Sequence, residues 1–260
     1  MSDNLIIIEK KGGVATILLN RPKKRNALSL SMWSRIIDLV KEAEEDNDIK
    51  VIVLTGEGKA FAAGADIDEF ESVFSDPASA KRTAGVTYDS QKQLSRCSKP
   101  TIAMIRGACV GGGCGLALHC DLRIADTTAR FGITPGKLGL VYSLQDTKRL
   151  LEAVGPSKAK EILYTGKIID ASEALSIGLI DHLVEPELLT EAVWTLADEI
   201  GAASQFSVRA TKKILQMILD GTKDDTEETR RLFVDAYAGD DFKEGYQAFK
   251  QKRAPKFTYS

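Results

Sequence analysis

Two short stretches rich in small residues have the composition of loops that let a ligand approach the main chain. One is "AAGAD", from Ala62 to Asp66, and the other is "GGGC", from Gly111 to Cys114, where three glycines open a predicted buried helix. Glycine costs about 1 kcal/mol relative to alanine inside a helix, so its repeated use here needs a physical reason. Each stretch precedes a predicted helix, whose N-terminus offers unpaired N–H groups and the positive end of a dipole.

Two such N–H groups that converge on one oxygen would form an oxyanion hole. Removing one donor from such a hole typically costs about 3–4 kcal/mol of transition-state stabilisation. Tight packing of a helix on a sheet is the alternative explanation, and for either loop alone it is the simpler one. A dinucleotide site fits less well, because the sequence has no GxGxxG pattern and no acidic residue where a ribose would need it.

Other side chains near these loops have the chemistry to transfer a proton. Tyr142 and Asp146 flank Ser143, and all three are close enough in sequence to reach one pocket. The alternatives are structural, with Tyr142 as an aromatic core residue and Asp146 as the cap of the helix that begins "DTKRLLEAVG". His119 lies in an apolar helix, so we expect a core histidine there.

The cysteines do not have the spacing of a metal site. No CxxC pair is present, and one helix would carry Cys114, His119 and Cys120 on different faces. We therefore expect no bound metal and ordinary buried thiols in a reducing compartment. The four cysteines are Cys97, Cys109, Cys114 and Cys120.

Apolar patterns predict a layered α/β fold around these loops. "LIIIEKKGGVATILLN" is typical of a hairpin, and "KVIVLTGEG", "TIAMIRG" and "DLRIAD" are typical of buried strands. Apolar residues from Leu30 to Ala43 recur at helical spacing, and Ser29 or Ser31 can cap that helix. Strands that alternate with helices favour mostly parallel crossovers. From about Pro186 onward the pattern is helical.

Composition excludes several classes of protein. The chain has 260 residues, with 35 Lys+Arg against 37 Asp+Glu, so it lacks the basic field expected of a nucleic-acid-binding protein. The N-terminal "MSDNLIIIEKKGG" has too short an apolar run for a signal peptide, and no stretch reaches the length of a membrane span. We expect a cytoplasmic protein with one large α/β domain that binds neither nucleic acid nor membrane.

Several motifs at fixed spacing resemble the crotonase superfamily, the enoyl-CoA hydratase/isomerase family. They are "NRPKKRNALS", "VIVLTGEGKAFAAGADI", "KPTIAMIRGACVGGGCGLALHCDLRIA", "FGITPGKLGL", "GPSKAKEILYTGKIIDASEALSIGLIDHLV" and "DFKEGYQAFKQKRAPKF". The resemblance covers essentially the whole chain. It implies a spiral of ββα units over residues 1–195 and a C-terminal helical trimerisation region over residues 196–260. It also implies homotrimers or pairs of trimers, and an acyl-CoA thioester substrate that brings coenzyme A without a permanently bound cofactor.

The resemblance also assigns roles to single positions. The N–H groups of Ala65 and Gly112 match the oxyanion hole, and residues 74–95 are expected to line or cover the acyl site. The positions that match coenzyme A contacts fall in three places, the last of them often reaching coenzyme A from a neighbouring subunit. These places are the adenine-binding segment Ala63, Ala65, Asp66 and Ile67, the phosphate-side Arg25, and the C-terminal pair Lys256 and Phe257.

The sequence departs from the family where proton transfer is normally performed. Hydratases of this family add water with two glutamates, which act as base and acid on either side of the water. The position of the first glutamate is Gly115 here, and that of the second is Pro135. Neither residue can transfer a proton, so another group must act or the chemistry is lost.

Tyr142 is the strongest replacement, with Asp146 beside it. "FGITPGKLGLVYS" resembles the methylmalonyl-CoA decarboxylase branch, in which a tyrosine at this spacing is thought to orient the departing carboxylate or to protonate the enolate. That branch has a histidine where Ala65 stands and keeps the first glutamate, so the match is partial. Decarboxylation suits a site without a base, because loss of CO2 generates the enolate directly.

The sequence therefore predicts an acyl-CoA-processing enzyme that stabilises a thioester enolate in an oxyanion hole. Hydration by atypical residues, isomerisation, thioester hydrolysis and decarboxylation of the methylmalonyl-CoA type all remain open. A non-catalytic acyl-CoA-binding protein that kept the fold and lost both carboxylates is the alternative from another class. The predicted catalytic residues are Ala65, Gly112, Tyr142 and Asp146.

Overall fold

The computed structural model describes residues 5–258, apart from the side chains of Ser72 and Phe74. Its strands are β1 (Ile6–Lys11), β2 (Val14–Leu19), β3 (Val51–Gly56), β4 (Thr101–Ile105), β5 (Ala108–Val110), β6 (Leu122–Asp126), β7 (Arg130–Gly132), β8 (Ile168–Asp170) and β9 (His182–Val184). Its α-helices are α1 (Leu30–Glu45), α2 (Phe70–Ser75), α3 (Pro77–Arg96), α4 (Gly112–Leu118), α5 (Leu144–Thr165), α6 (Ala171–Ser176), α7 (Leu189–Ala202), α8 (Gln205–Leu219), α9 (Glu227–Ala238) and α10 (Asp240–Gln251).

The strands form two sheets. The larger has the order β1-β2-β3-β4-β6-β9, and the smaller has the order β5-β7-β8. β1 and β2 are the predicted hairpin: they pair antiparallel with Ile6 opposite Leu19 and turn at Gly12 and Gly13, both of which have positive φ. The other neighbours in the larger sheet run parallel, as the alternation of strands and helices predicted.

The chain winds as a spiral in which each turn visits both sheets before it reaches a helix. β4 leads through β5 to α4, and β6 leads through β7 to α5. The preceding turn has the same plan, because β3 is followed by Ala62, which bridges to Cys109 of β5, and then by α2 and α3. This mixed α/β spiral is the fold that the sequence predicted.

Helices cover both faces of the larger sheet. On one face α1 packs its apolar side, including the fully buried Ile36 and Leu39, into the main core. On the other face Val193 and Ala197 of α7 pack into a second cluster with residues of β3, β4 and β6. Every residue of β3 is therefore buried, which explains why its sequence shows no alternation of polar and apolar residues.

Serine residues cap the two helices that flank the predicted site. Of the two candidates for α1, Ser29 is the cap, and its hydroxyl accepts a hydrogen bond from the N–H of Met32. The alternative role of Asp146 as a helix cap is wrong. Ser143 caps α5 and accepts a hydrogen bond from the N–H of Asp146, which lies in the first turn of the helix.

The C-terminal part is helical, as predicted. Residue 195, where the sequence divides core from C-terminal region, falls inside α7, whose buried side contacts the sheet. The division itself and the role of residues 196–260 in trimerisation stay predictions. Among the described helices, none combines the length and the apolar composition needed to cross a lipid bilayer.

A buried asparagine fixes the basic loop that leads to α1. The side chain of Asn26 accepts a hydrogen bond from the N–H of Arg21 at 2.8 Å. It donates to the main-chain carbonyls of Glu57 at 3.0 Å and Ala60 at 2.7 Å. Asn26 itself has a φ of +56°, a conformation that asparagine adopts more readily than most residues. This side chain thus joins the loop after β2 to the segment after β3.

We expect Asn26→Ala to lower the free energy of unfolding by about 2–3 kcal/mol, because buried main-chain groups lose their partners. Urea denaturation measures the change. Lys23→Ala is the control, since Lys23 is exposed in the same loop and its loss should cost less than about 0.5 kcal/mol. Equal effects of the two substitutions would contradict the role of Asn26.

Candidate active site

The spiral places the two small-residue loops side by side. Ala62 and Cys109 form a parallel bridge, in which Ala62 donates to the carbonyl of Ala108 and accepts from the N–H of Val110, both at 2.9 Å. Ala65 lies three residues after Ala62, and Gly112 lies three residues after Cys109. The two positions are therefore equivalent points on consecutive turns of the spiral.

The N–H groups of Ala65 and Gly112 are both left without a partner by the local backbone. In the bridge between Leu28 and Ala65, Leu28 bonds to Gly64 and Asp66, so the N–H of Ala65 points away from Leu28. Gly112 is the first residue of α4, where an N–H has no partner within the helix. Within residues 5–258 neither N–H has a hydrogen-bond acceptor.

Glycine is required where the loops touch. A Cβ on Gly113 would lie 2.4 Å from the carbonyl oxygen of Ala62, closer than real structures allow. Gly64 has a φ of +108°, and a Cβ there would lie 3.2 Å from the carbonyl oxygen of Val110. A Cβ on Gly112 would lie 3.9 Å from the nitrogen of Ala65, so the two N–H groups are neighbours. Close main-chain approach is thus the reason for the glycines that the sequence analysis singled out.

A cavity of about 380 Å³ opens in front of these two N–H groups. Helix α3 forms one wall, and the segment before α5 forms another. The cavity is lined by Leu28, Leu30, Trp33, Ala65, Asp66, Glu69, Phe70, Val73, Ala80, Thr83, Ala84, Thr87, Tyr88, Gln91, Gly112, Leu140, Val141, Tyr142, Ser143 and Asp146. The structure thus brings together all four predicted catalytic residues.

Three polar side chains from other elements occupy the space in front of Gly115. A Cβ on Gly115 would lie 2.7 Å from Oδ1 of Asp146, 2.9 Å from Nε2 of Gln91 and 3.0 Å from the hydroxyl of Tyr142. We call these three residues the polar cluster. Gly115 lies one turn after Gly112 in α4, so the cluster is next to the paired N–H groups. A carboxylate that α5 supplies therefore lies where a side chain at position 115 would begin.

The carboxylate of Asp146 is buried and held on both oxygens. Gln91 donates to Oδ1 at 2.8 Å, and the hydroxyl of Ser143 donates to Oδ2 at 2.6 Å. Burial raises the pKa of Asp146 above its ordinary value, and the hydrogen bonds from Ser143 and Gln91 offset part of this rise. A carboxylate whose pKa is raised is a stronger base than an ordinary aspartate, which suits it to accept and return a proton.

The hydroxyl of Tyr142 is buried and lacks a hydrogen-bond partner among the described residues. A buried hydroxyl without a partner costs free energy, so it is a natural contact for a ligand atom. Burial, together with the nearby charge of Asp146, raises the pKa of Tyr142 well above its ordinary value. The phenol therefore stays protonated and can act as a donor.

His119 packs behind the polar cluster as a core residue. Its Nδ1 lies 2.7 Å from the carbonyl oxygen of Gly115 and 3.7 Å from Oδ1 of Asp146. Burial lowers the pKa of His119 to about 4, so the ring is neutral at neutral pH.

The cysteines are buried free thiols, as predicted, and burial raises the pKa of Cys97 to about 11 and that of Cys120 to about 12. Such thiols are poor nucleophiles.

The residues assigned to coenzyme A fall into two groups. Arg25, Ala63, Ala65, Asp66 and Ile67 lie together, since the carbonyl of Arg25 accepts a hydrogen bond from the N–H of Ala63 at 2.9 Å. Ile67 exposes 73% of its surface beside the cavity, which suits an apolar contact.

The carboxylate of Asp66 forms an ion pair. Its Oδ2 lies 2.7 Å from the guanidinium of Arg21. Burial opposes ionisation of Asp66, but the hydrogen bonds from Arg21 and from the N–H of Asp68 prevail, so its pKa lies below the ordinary value. Asp66 is therefore suited to holding this loop, and contacts with a ligand would fall to its main chain.

Lys256 and Phe257 lie elsewhere. The N–H of Lys256 donates to Glu244 of α10 at 2.7 Å, and Phe257 lies near Gly245 of the same helix. Neither residue lines the cavity in front of Ala65 and Gly112. Within one chain the structure does not bring them to the site, and a contact through a neighbouring subunit stays a prediction.

Sequence reasoning missed Gln91. The sequence of α3 is polar, so its cavity-facing side was not recognised. On that side the residues recur at spacings of three and four, as Ala80, Ala84, Tyr88 and Gln91. That periodicity is a signal that the sequence carries. The contact of Gln91 with Asp146 cannot be read from the sequence, because it joins residues 55 positions apart.

We expect Gly115→Ala to displace the polar cluster, because the new methyl group would collide with Asp146, Gln91 and Tyr142. Overpacking of this kind costs about 1–3 kcal/mol of unfolding free energy. Thermal and urea unfolding measure this cost. Gly85→Ala is the control, since a Cβ on that exposed glycine of α3 meets nothing within 4 Å. A Gly115→Ala protein as stable as the wild type would show that the cluster is not packed as described.

Comparison with known proteins agrees with the spiral fold. The family model described as Enoyl-CoA hydratase/isomerase matches residues 9–260. The chain is 41% identical to "Probable enoyl-CoA hydratase, mitochondrial" of Dictyostelium discoideum, over 95% of this chain and 88% of the relative. It is 35% identical to "Crotonyl-CoA hydratase" of Syntrophomonas wolfei, over 97% of each. An enoyl-CoA hydratase/isomerase family protein from Hyphomonas neptunium superposes with a TM-score of 0.96 at 49% identity, over 98% of each chain.

The fold and the cavity define a crotonase-type acyl-CoA-processing enzyme. The chain belongs to the enoyl-CoA hydratase/isomerase family.

Proposed function

We propose that this enzyme moves the α-proton of an acyl-CoA thioester by means of Asp146. The thioester carbonyl oxygen would accept hydrogen bonds from the N–H groups of Ala65 and Gly112. Asp146 would take a proton from the α-carbon, and the electron pair of the C–H bond would become the double bond of the enolate. The two N–H groups would then bind the enolate oxygen, which carries more charge than the carbonyl oxygen and so gains more from them.

The observation that supports this proposal is the carboxylate in front of Gly115. A proton-transfer group must lie within hydrogen-bond reach of the reacting atom and have a pKa near the working pH. Asp146 lines the same cavity as the paired N–H groups, and burial has raised its pKa. The enzyme would thus use a carboxylate from α5 where its relatives are expected to use one from α4.

The reaction that best suits a single carboxyl group is migration of a double bond. In a 3-enoyl-CoA, removal of the α-proton gives a dienolate, and return of the same proton at C4 gives the 2-enoyl-CoA. No water enters, and Asp146 ends in its starting state. Hydration would need a second acid/base group to activate water. Pro135 stands where the family resemblance places it, and Glu69 in the lining already accepts a hydrogen bond from the N–H of Leu30 at 2.8 Å. The hydroxyl of Tyr142, which belongs to the same polar cluster, would bind the dienolate beside the carboxyl group.

Decarboxylation of a methylmalonyl-type acyl group is the less favourable alternative. Such a group would bring a second carboxylate into the cavity. The described lining contains Asp66, Glu69 and Asp146 and no Lys, Arg or His, so an anionic acyl group would enter without a cationic partner. An uncharged acyl group fits this lining.

The proposal also includes the residues expected to contact coenzyme A. Arg25 and the loop of Ala63, Ala65 and Ile67 would bind the nucleotide at the mouth of the cavity. Lys256 and Phe257 would contact it from a neighbouring subunit of a homotrimer or of paired trimers. We propose no permanently bound cofactor, and a cytoplasmic location.

Deuterium washout from α-deuterated butyryl-CoA tests the proposed base. We expect Asp146→Asn to slow washout about 100- to 10,000-fold, the usual contribution of a general base. The matched control is Asp89→Asn, an exposed aspartate on α3 that does not line the cavity. Washout that survives Asp146→Asn would overturn the role of Asp146.

A substrate panel then distinguishes the reactions. Conversion of 3-hexenoyl-CoA to the 2-enoyl product, lost in Asp146→Asn, is the expected result. Loss of CO2 from methylmalonyl-CoA that persists in Asp146→Asn would favour decarboxylation, which needs no base. Addition of water to crotonyl-CoA would show that another group activates water. Binding of these thioesters without any reaction would favour the non-catalytic alternative.

The pH dependence of washout should follow the ionisation of Asp146. Because the carboxylate form is the base and its pKa is raised, the rate should fall on acidification with a midpoint above the ordinary aspartate value of about 3.9. His119 is neutral above about pH 4 and Tyr142 stays protonated, so neither should add a limb near neutral pH. Rates measured across the range in which the protein stays folded test this. A limb that survives unchanged in Asp146→Asn would belong to another group.

A further inference from the structure

Helix α3 reaches the proposed base through one hydrogen bond. Gln91 is 2% exposed, and its Nε2 lies 2.8 Å from Oδ1 of Asp146. The same nitrogen would lie 2.9 Å from a Cβ on Gly115, so the amide packs over α4 together with the carboxylate. Gln91 of α3 therefore contacts both α4 and α5.

The hydrogen bond of Gln91 acts on a different oxygen from that of Ser143. Ser143 donates to Oδ2 from the residue that caps α5, and it would follow any movement of Asp146 on that helix. Gln91 donates to Oδ1 from across the cavity. A carboxylate with one oxygen held can still rotate about its Cβ–Cγ bond, whereas donors on both oxygens fix its plane.

From this geometry we infer that Gln91 is a positioning residue that fixes the plane of the Asp146 carboxylate toward the α-carbon of the substrate. The inference rests on the proposed role of Asp146 as the base. Gln91 itself would not exchange a proton, because an amide side chain does not titrate in this range.

The position of Gln91 on α3 also ties the base to the acyl pocket. Ala80, Ala84 and Tyr88 precede Gln91 on the cavity-facing side of the same helix. Residues that line the acyl pocket and the residue that bonds to the proposed base therefore lie on one side of a single helix.

Two substitutions test the role of Gln91 in different ways. Gln91→Leu removes the donor, and Gln91→Glu keeps the shape while replacing the N–H with an oxygen. The control is Gln93→Leu, the same change two residues further along α3, where the side chain bonds to Glu44 at 3.2 Å and does not line the cavity. Thermal unfolding shows that each variant is folded.

We expect both Gln91 variants to lower kcat for deuterium washout about 10- to 100-fold, the effect typical of losing one hydrogen bond to a charged group. KM should change little, because Gln91 does not hold the thioester. The acid limb of the pH profile should move to higher pH, since loss of a donor to the carboxylate favours its protonated form. The groups facing Asp146 that titrate are Tyr142 and His119, and both are present unchanged in the control.

A merely structural role predicts a different pattern, in which stability falls and the pH profile keeps its midpoint. That pattern, or a kcat equal to that of Gln93→Leu, would overturn the inference. If washout survives in Asp146→Asn, the proposed function is wrong, and the role of Gln91 that rests on it is wrong as well. If Asp146→Asn abolishes washout and the Gln91 variants leave kcat and the pH midpoint unchanged, only the role of Gln91 fails.

Discussion

The close approach of main chain between consecutive turns of the spiral is the constraint on which the site depends. Ala62 and Cys109 bridge directly, and the glycines that follow leave no side chain between the two segments. Only this contact can bring the N–H of Ala65 beside that of Gly112, because the two groups belong to different loops and different helices. The hydrogen bonds of Asn26 and the buried face of α1 support the loop from behind.

A second consequence of the glycines is room for polar side chains from elsewhere. Gly115 leaves space over α4 that Asp146, Gln91 and Tyr142 enter from three other parts of the chain. Any larger residue at 115 would exclude them, so the carboxylate at this place comes from either α4 or α5 and not from both. The carboxylate of Asp146 thus lies beside the cavity on α5, at a point where the facing residue of α4 is glycine.

The polar cluster carries an energetic cost that a purely structural role does not explain. A buried carboxylate with two donors and a buried phenol without a partner both oppose folding relative to apolar side chains of similar size. Buried groups of this kind are typical of catalytic sites, where a substrate atom supplies the missing contact and a raised pKa has a use. The main apolar core, against which Tyr142 packs, supplies burial that offsets this cost.

The sequence by itself determined the fold, the family and the pair of loops, because these depend on local patterns. The hairpin and the buried strands follow from residues close together in the chain, whereas the structure chose Ser29 over Ser31 as the cap of α1. The sequence also shows Gly115 and Pro135 at the two positions where the family resemblance implies glutamates. Tyr142 and Asp146 could be named as candidates, since they follow a recognisable motif.

Only the tertiary structure decided which side chains face Gly115. The contact between Gln91 and Asp146 joins α3 to α5, and the contact of both with Gly115 adds α4. No pattern along the chain encodes these distances, because they arise from how three helices pack around one cavity. The same packing sets the burial that raises the pKa of Asp146, so the property on which its proposed role as a base depends belongs to the folded molecule.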